Sequence, residues 1–164
     1  MGMRISKNWG THLPLLIKAI SMTTGDVLEI GMGLYSTPFL HWACFNKRKL
    51  VSYDNDAEYF NMNKQYEEGL HEVHFVDDWD SMDIEKPWDV VLVDHGPSER
   101  RIVDIKKLAN LARFIVVHDT EGRSDHNYHF STVFPSFKYK YTFTKSRPHT
   151  TILSNFVDVT NFEV

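Results

Sequence analysis

One cysteine, Cys44, stands in 164 residues. That excludes an intramolecular disulfide and any zinc site built from several thiolates, and it suits a reducing compartment. No apolar run approaches the ~18–20 residues of a membrane span. The first twenty residues also lack the basic-then-apolar order and small-residue cleavage site of a secretion signal. A cytoplasmic protein without membrane contact is therefore expected. Positive charge is in deficit, with 18 Lys and Arg against 22 Asp and Glu and a formal charge of −4. Such a surface has no field for collecting a polyanion, so nucleic acid is not an expected partner. Repeats, linkers and low-complexity tracts are missing, and at roughly 100–200 residues per domain there is no length for a second, substrate-binding domain. Apolar material is plentiful: 42% hydrophobic residues, with 11 Phe, 7 Tyr and 4 Trp, which excludes intrinsic disorder and predicts one packed domain over 1–164.

Residues 1–24 form an N-terminal segment whose apolar stripe, Leu13 to Ile20, has helical spacing with Pro14 in its first turn. From 25 to 119, strand-sized apolar runs alternate with helix-length stretches. The runs are 27–30, 50–53, 73–76, 90–93 and 114–117; the stretches are 37–45, 56–68 and 99–111. Ser36-Thr37 and Asp54 or Asn55 are candidate helix caps. Strands apolar on both faces and separated by helices belong to a parallel sheet covered on both sides. Asp77 to Lys86 is too short for a full crossover, so the third crossover helix is reduced to a loop or one turn. Residues 120–164 read as a short helix followed by an antiparallel hairpin, 138–143 and 150–153.

In such a sheet, ligands bind beyond the carboxyl ends of the strands. The first run ends in Glu29-Ile30-Gly31-Met32-Gly33, a glycine turn leading through Ser36 into a helix, where the backbone can approach a ligand closely. The second ends in Asp54, placed to accept from the two hydroxyls of a ribose. The third ends in Asp77-Asp78-Trp79, a carboxylate for an exocyclic amine beside an aromatic face for a base. The fourth ends in Asp94-His95 and the fifth in His118-Asp119-Thr120. Every strand end is acidic, which suits a cationic ligand better than the pyrophosphate of NAD.

At these residues the chain resembles the class I S-adenosylmethionine-dependent methyltransferases, and most closely their small O-methyltransferase-like members. The resemblance covers Asp26 to Asp119. Glu29 to Gly33 looks like the family's first motif, Asp54 like its ribose-binding acid, Asp78-Trp79 like its adenine-contacting step, and Asp94 like its fourth motif. Tyr35 stands where many members have a third glycine. The resemblance implies a Rossmann-like α/β fold: an open, mostly parallel sheet of about seven strands with helices on both faces and a C-terminal antiparallel hairpin. It implies S-adenosyl-L-methionine as cofactor, held by Glu29, Gly31, Gly33, Ser36, Asp54, Asp78, Trp79 and Asp94. Some such members hold a divalent metal with acids at the last two strand ends, so Asp94 and Asp119, with hard oxygen ligands, are candidates for Mg or Mn.

The expected reaction is methyl transfer to a small-molecule acceptor, with oxygen favoured over nitrogen. His95, oriented by Asp94 or Asp119, is the first choice of base and His118 the second. A bland role stands beside several of these. Asp54 can cap the next helix, Trp79 can be core, and either histidine can serve buried backbone groups. His12 can close over the cofactor or simply start a surface helix. Arg100 and Arg101 are either a solvated face or a grip on an acidic acceptor. The aromatics between Tyr128 and Phe143 exceed what a hairpin needs and make a homo-oligomer an expectation. Two alternatives to transfer remain: a cofactor-binding module without activity, and an NAD-dependent oxidoreductase.

Overall fold

Residues 5–164 are described by a computed structural model; the first four residues of the N-terminal segment lie outside the described range. Seven strands form one sheet: β1 (Val27–Ile30), β2 (Leu50–Asp54), β3 (His71–Phe75), β4 (Trp88–Val93), β5 (Ala112–His118), β6 (Tyr139–Phe143) and β7 (Thr150–Ser154). Their order is β3-β2-β1-β4-β5-β7-β6. All pairings from β3 to β5 are parallel, whereas β7 is antiparallel to both β5 and β6. This is the open, mostly parallel sheet with a terminal hairpin that the alternation of runs predicts.

The central strands are buried on both faces because successive side chains point to opposite sides and both sides are covered. Leu28, Ile30, Val91, Val93, Ile115 and Val117 pack on one face, with Ile105 and Leu108 of α4 (Arg101–Leu108) and with Phe130. Val27, Val90, Leu92, Phe114 and Val116 pack on the other, against Leu15, Leu16, Ala19 and Ile20 of α1 (Leu13–Ser21) and Leu40 of α2 (Ser36–Cys44). The third helix, α3, spans Ala57–Asn63. Between β3 and β4 the chain makes only a 3-10 turn, Trp79–Ser81, as the short connection requires.

Two of the expected caps fall elsewhere. Helix α2 has Tyr35 at its N-cap with no side-chain cap, because Thr37 turns its hydroxyl down onto Glu29 instead. Helix α3 is capped by Asp56, which accepts from Glu58 N at 2.8 Å and Tyr59 N at 3.4 Å. That leaves Asp54 free of the cap role. The aromatic surplus that suggested subunit contacts is absorbed within the chain: Phe130, Phe137 and Phe143 are buried, and Phe134, Tyr139 and Tyr141 pack against the two cores. Another short helix, α5 (Asp125–Tyr128), follows β5.

Candidate active site

The order of strands reverses at β1, whose neighbours β2 and β4 leave in opposite directions, and that is where a crevice opens in such sheets. A cleft of about 540 Å³ lies there, within the ~300–1,000 Å³ usual for small-molecule sites. Its walls carry Met32 and Gly33 after β1, Asp54 to Asp56 after β2, Asp94 to Gly96 after β4, and His118 and Asp119 after β5. Ser6, Asn8, Trp9 and His12 of the N-terminal segment, with Pro148 of the hairpin, complete it.

The glycine turn is built from below. Glu29 is fully buried and accepts from Thr37 Oγ1 at 3.0 Å and Ser52 Oγ at 2.6 Å, while Thr37 Oγ1 accepts from Gly33 N at 3.0 Å. Burial pushes the Glu29 carboxyl up to about 7, against the pull of these hydroxyls. Glu29 thus supports the turn from beneath rather than facing the cleft. Ser36 is likewise buried. Gly31 has φ +95°, and a Cβ there would sit 2.5 Å from the Asp94 carbonyl carbon. Only glycine lets the ends of β1 and β4 come this close. Gly33 has the opposite surroundings, since an added Cβ would meet only Ser36 Oγ below 3.5 Å.

Asp54 ties the turn to β2. Its Oδ2 accepts from Met32 N and its Oδ1 from Asp56 N, both at 2.7 Å, and the residue lines the cleft. Burial raises its pKa against those two amides. Asp78 and Trp79 do not join this group. Asp78 caps the 3-10 turn through Asp80 N at 2.9 Å, and Trp79 is buried with its indole N–H on Gly96 O at 2.9 Å. With only a 3-10 turn after β3, Trp79 sits in the core and packs on His95 at 4.5 Å between ring centroids, and it is not among the residues lining the cleft.

Asp94, His118 and Asp119 do converge. Asp94 Oδ1 lies 3.2 Å from His118 Nδ1 and 3.0 Å from Arg101 Nη2; Arg101 Nη1 reaches Asp119 Oδ2 at 3.3 Å and the His118 carbonyl at 3.1 Å. Burial would raise the Asp94 carboxyl, but His118 and Arg101 overcome it and hold Asp94 at about 2. Burial disfavours a charged His118, yet Asp94 and Asp119 beside it lift its pKa above the ordinary value. The metal expectation fails on this geometry. A guanidinium already bridges Asp94 and Asp119, supplying the positive charge a cation would bring. His12, Asp94 and His118 also bring ligating atoms within 4.8 Å of one another, but both His118 nitrogens are bonded, to Asp94 and to Thr11 Oγ1 at 2.8 Å. These residues do not fit a divalent ion.

His95 is not placed as a base. Its side chain has no exposure, and Nε2 lies 3.0 Å from Asp104 Oδ2 on α4. Arg100 is spent on the same Asp104 through a two-pronged contact at 2.9 and 3.0 Å, and reaches Asp80 at 3.0 Å. Neither arginine is a solvated face, and neither is available to an acceptor. His12, at the start of α1, is buried and directed at Asp94 Oδ2 at 3.9 Å, not at the surface. The polar and aromatic stretch Asn8-Trp9-Gly10-Thr11-His12 was the sequence signal for this wall. Thr11 Oγ1 pins it by donating to Pro148 O at 2.8 Å.

No protein-family model and no curated protein matches the sequence. Solved structures match its fold. The O-methyltransferase TomG from Streptomyces achromogenes, in complex with S-adenosylmethionine, is 18% identical; the match covers 94% of this chain and 82% of that one, at TM-score 0.65. An O-methyltransferase from Bacillus cereus in complex with S-adenosylhomocysteine is 16% identical over 93% and 82% of the two chains, at TM-score 0.65. The N-methyltransferase NodS from Bradyrhizobium japonicum is 11% identical over 87% and 91%, at TM-score 0.59. The chain has the class I methyltransferase fold, on which both oxygen and nitrogen acceptors are served.

Proposed function

We propose that this chain, built on the class I methyltransferase fold, transfers a methyl group from S-adenosyl-L-methionine to an oxygen of a small-molecule acceptor. One observation carries the reading. The Asp54 carboxylate grips the glycine turn through Met32 N and faces the same cleft as Asp56, Asp94 and Asp119. The turn and the acid are therefore one pre-set unit at the crevice, as a nucleoside carrying a ribose and a positive charge requires. When bound, S-adenosylmethionine supplies a methyl group on a cationic sulfur. Asp54 would accept from the ribose hydroxyls, and the amides around Gly33 leave room for the ligand's close approach. His118, oriented by Asp94, would line the acceptor's side.

The oxidoreductase alternative loses ground on charge. None of the described residues lining the cleft is Lys or Arg, whereas four are Asp, so a pyrophosphate would meet repulsion. Incubation with methyl-labelled S-adenosylmethionine and a panel of hydroxylated small molecules tests the reading. Label is expected in an acceptor as an ether. Binding of S-adenosylhomocysteine without label leaving the cofactor for any acceptor would instead support a binding module.

A further inference from the structure

We propose that His12 is the base that takes the acceptor's proton, and that the acceptor is an uncharged phenol; this rests on the methyl-transfer reading above. Of the three histidines on the cleft wall, His12 and His95 both have ring nitrogens without a hydrogen bond among the described residues, but the His95 side chain has no exposure at all. His118 uses both nitrogens, on Asp94 and Thr11, and His95 is walled in against Asp104. His12 is 2% exposed, and neither of its ring nitrogens has a hydrogen-bond partner among the described residues, although the residue lines the cleft. Buried polar atoms are almost always paired, so an orphaned imidazole facing a cleft marks where a ligand's polar group completes the site.

The surroundings set its chemistry. His118, from the end of β5, meets His12 edge-on at 5.1 Å between centroids. Asp94, from the end of β4, stands 3.9 Å away and is itself held by Arg101 of α4 through its other oxygen. Burial keeps His12 neutral at physiological pH, its pKa pushed down to about 4. A neutral imidazole has one bare nitrogen to accept a hydroxyl proton. Among hydroxyl acceptors, a phenol, which ionises near pH ~10, gives up its proton to an imidazole far more readily than an alkanol does.

The same wall defines the acceptor's charge. Arg100 and Arg101 are consumed by protein carboxylates, and the cleft presents four Asp side chains with no Lys or Arg among the described lining residues. A carboxylate or phosphate on the acceptor would find no cationic partner among them. Trp9, 38% exposed on the wall, and the partly buried Tyr59 offer flat faces for an aromatic ring. In the step, the phenol O–H bond breaks and its proton goes to the bare His12 nitrogen. The O–CH3 bond forms as the S–CH3 bond breaks, with that bond's electron pair staying on sulfur. Sulfur loses its positive charge as His12 gains one, and the new charge on His12 lies 3.9 Å from Asp94. Imidazolium returns the proton to water after product leaves.

The test uses full-length protein, S-adenosylhomocysteine calorimetry, and methyl transfer to phenol and 4-methylphenol against 4-hydroxybenzoate. His12→Gln, which keeps a polar side chain but no base, is expected to bind S-adenosylhomocysteine as the wild type does and to lose ~10²–10⁴-fold in kcat. The hydroxybenzoate is expected to react about tenfold more slowly or worse than 4-methylphenol, because its carboxylate enters an acidic wall. Where turnover is too slow to measure, the His12 ring signals of ¹⁵N-histidine-labelled protein, saturated with S-adenosylhomocysteine, are expected to shift on adding phenol. Full kcat in His12→Gln, preference for the hydroxybenzoate, or neither turnover nor a His12 shift with phenol would each overturn the proposal. Failure of the wild type to bind S-adenosylhomocysteine would instead strike the methyl-transfer reading itself.

Discussion

Asp54 holds two backbone amides at 2.7 Å and still faces the cleft, so its loss should be felt by ligand before fold. Asp54→Ala is expected to weaken S-adenosylhomocysteine binding by roughly 1–3 kcal/mol, the scale of a hydrogen bond to a charged group; calorimetry on the variant checks it. Deeper in, Glu29 keeps its proton in the fold up to about pH 7 against an ordinary 4.5. A raised acid pKa makes the fold more stable at low pH, and that stability is lost as pH rises between these values, by about 3 kcal/mol in all. Burial lowers His12 and His71 to about 4 from 6.5, so they act oppositely: stability falls as pH drops below 6.5 and the unfolded chain takes up their protons. Urea unfolding at pH 7 and 5 should therefore show a larger acid-side loss in Glu29→Gln than in wild type, because a compensating group is gone. The residues explain where sequence reading succeeds and fails. Asp54 is legible because it ends an apolar run at a fixed place after a glycine turn. His95 is misleading because it adjoins Asp94 in sequence, yet neighbours at a strand end face opposite ways, and its ring turns to Asp104 and Trp79. His12 lies 82 positions from Asp94, and only the fold-back of the N-terminal segment joins them.

Among elements, the strands are the most legible, since both-face burial writes continuous apolar runs into β1, β4 and β5. The helix starts are less so. Ser36 and Thr37 have the chemistry of caps, but the buried carboxylate of Glu29 competes for their hydroxyls. Two variants separate the roles of the glycine turn. Gly31→Ala puts a Cβ 2.5 Å from the backbone of Asp94 and holds alanine at φ +95°. The conformational strain alone costs ~1–3 kcal/mol, so a lowered urea midpoint is expected. Gly33→Ala meets only Ser36 Oγ at 3.2 Å nearby, so its midpoint should move little while S-adenosylhomocysteine affinity falls. For the sheet's packing, Leu92 is fully buried between α1 and β4's neighbours. Leu92→Ala should cost ~2–5 kcal/mol in urea unfolding.

At the scale of the whole molecule, the strand order brings three acidic strand ends, carrying four Asp, to one crevice although they are spread from Asp54 to Asp119 in the chain. That convergence is not readable from periodicity, which gives strands without their order; the resemblance implies an open, mostly parallel sheet, and the order itself is seen only in the structure. The N-terminal wall is legible only as the polar and aromatic stretch ending in His12, because the segment before β1 has no counterpart in the alternation of runs. No described helix is long and apolar enough to cross a membrane. The most direct test of the account is calorimetric titration of the purified chain with S-adenosylhomocysteine, and separately with NAD. Saturable binding of one S-adenosylhomocysteine per chain, with no heat from NAD, is the predicted result; binding of NAD with none of S-adenosylhomocysteine would contradict it.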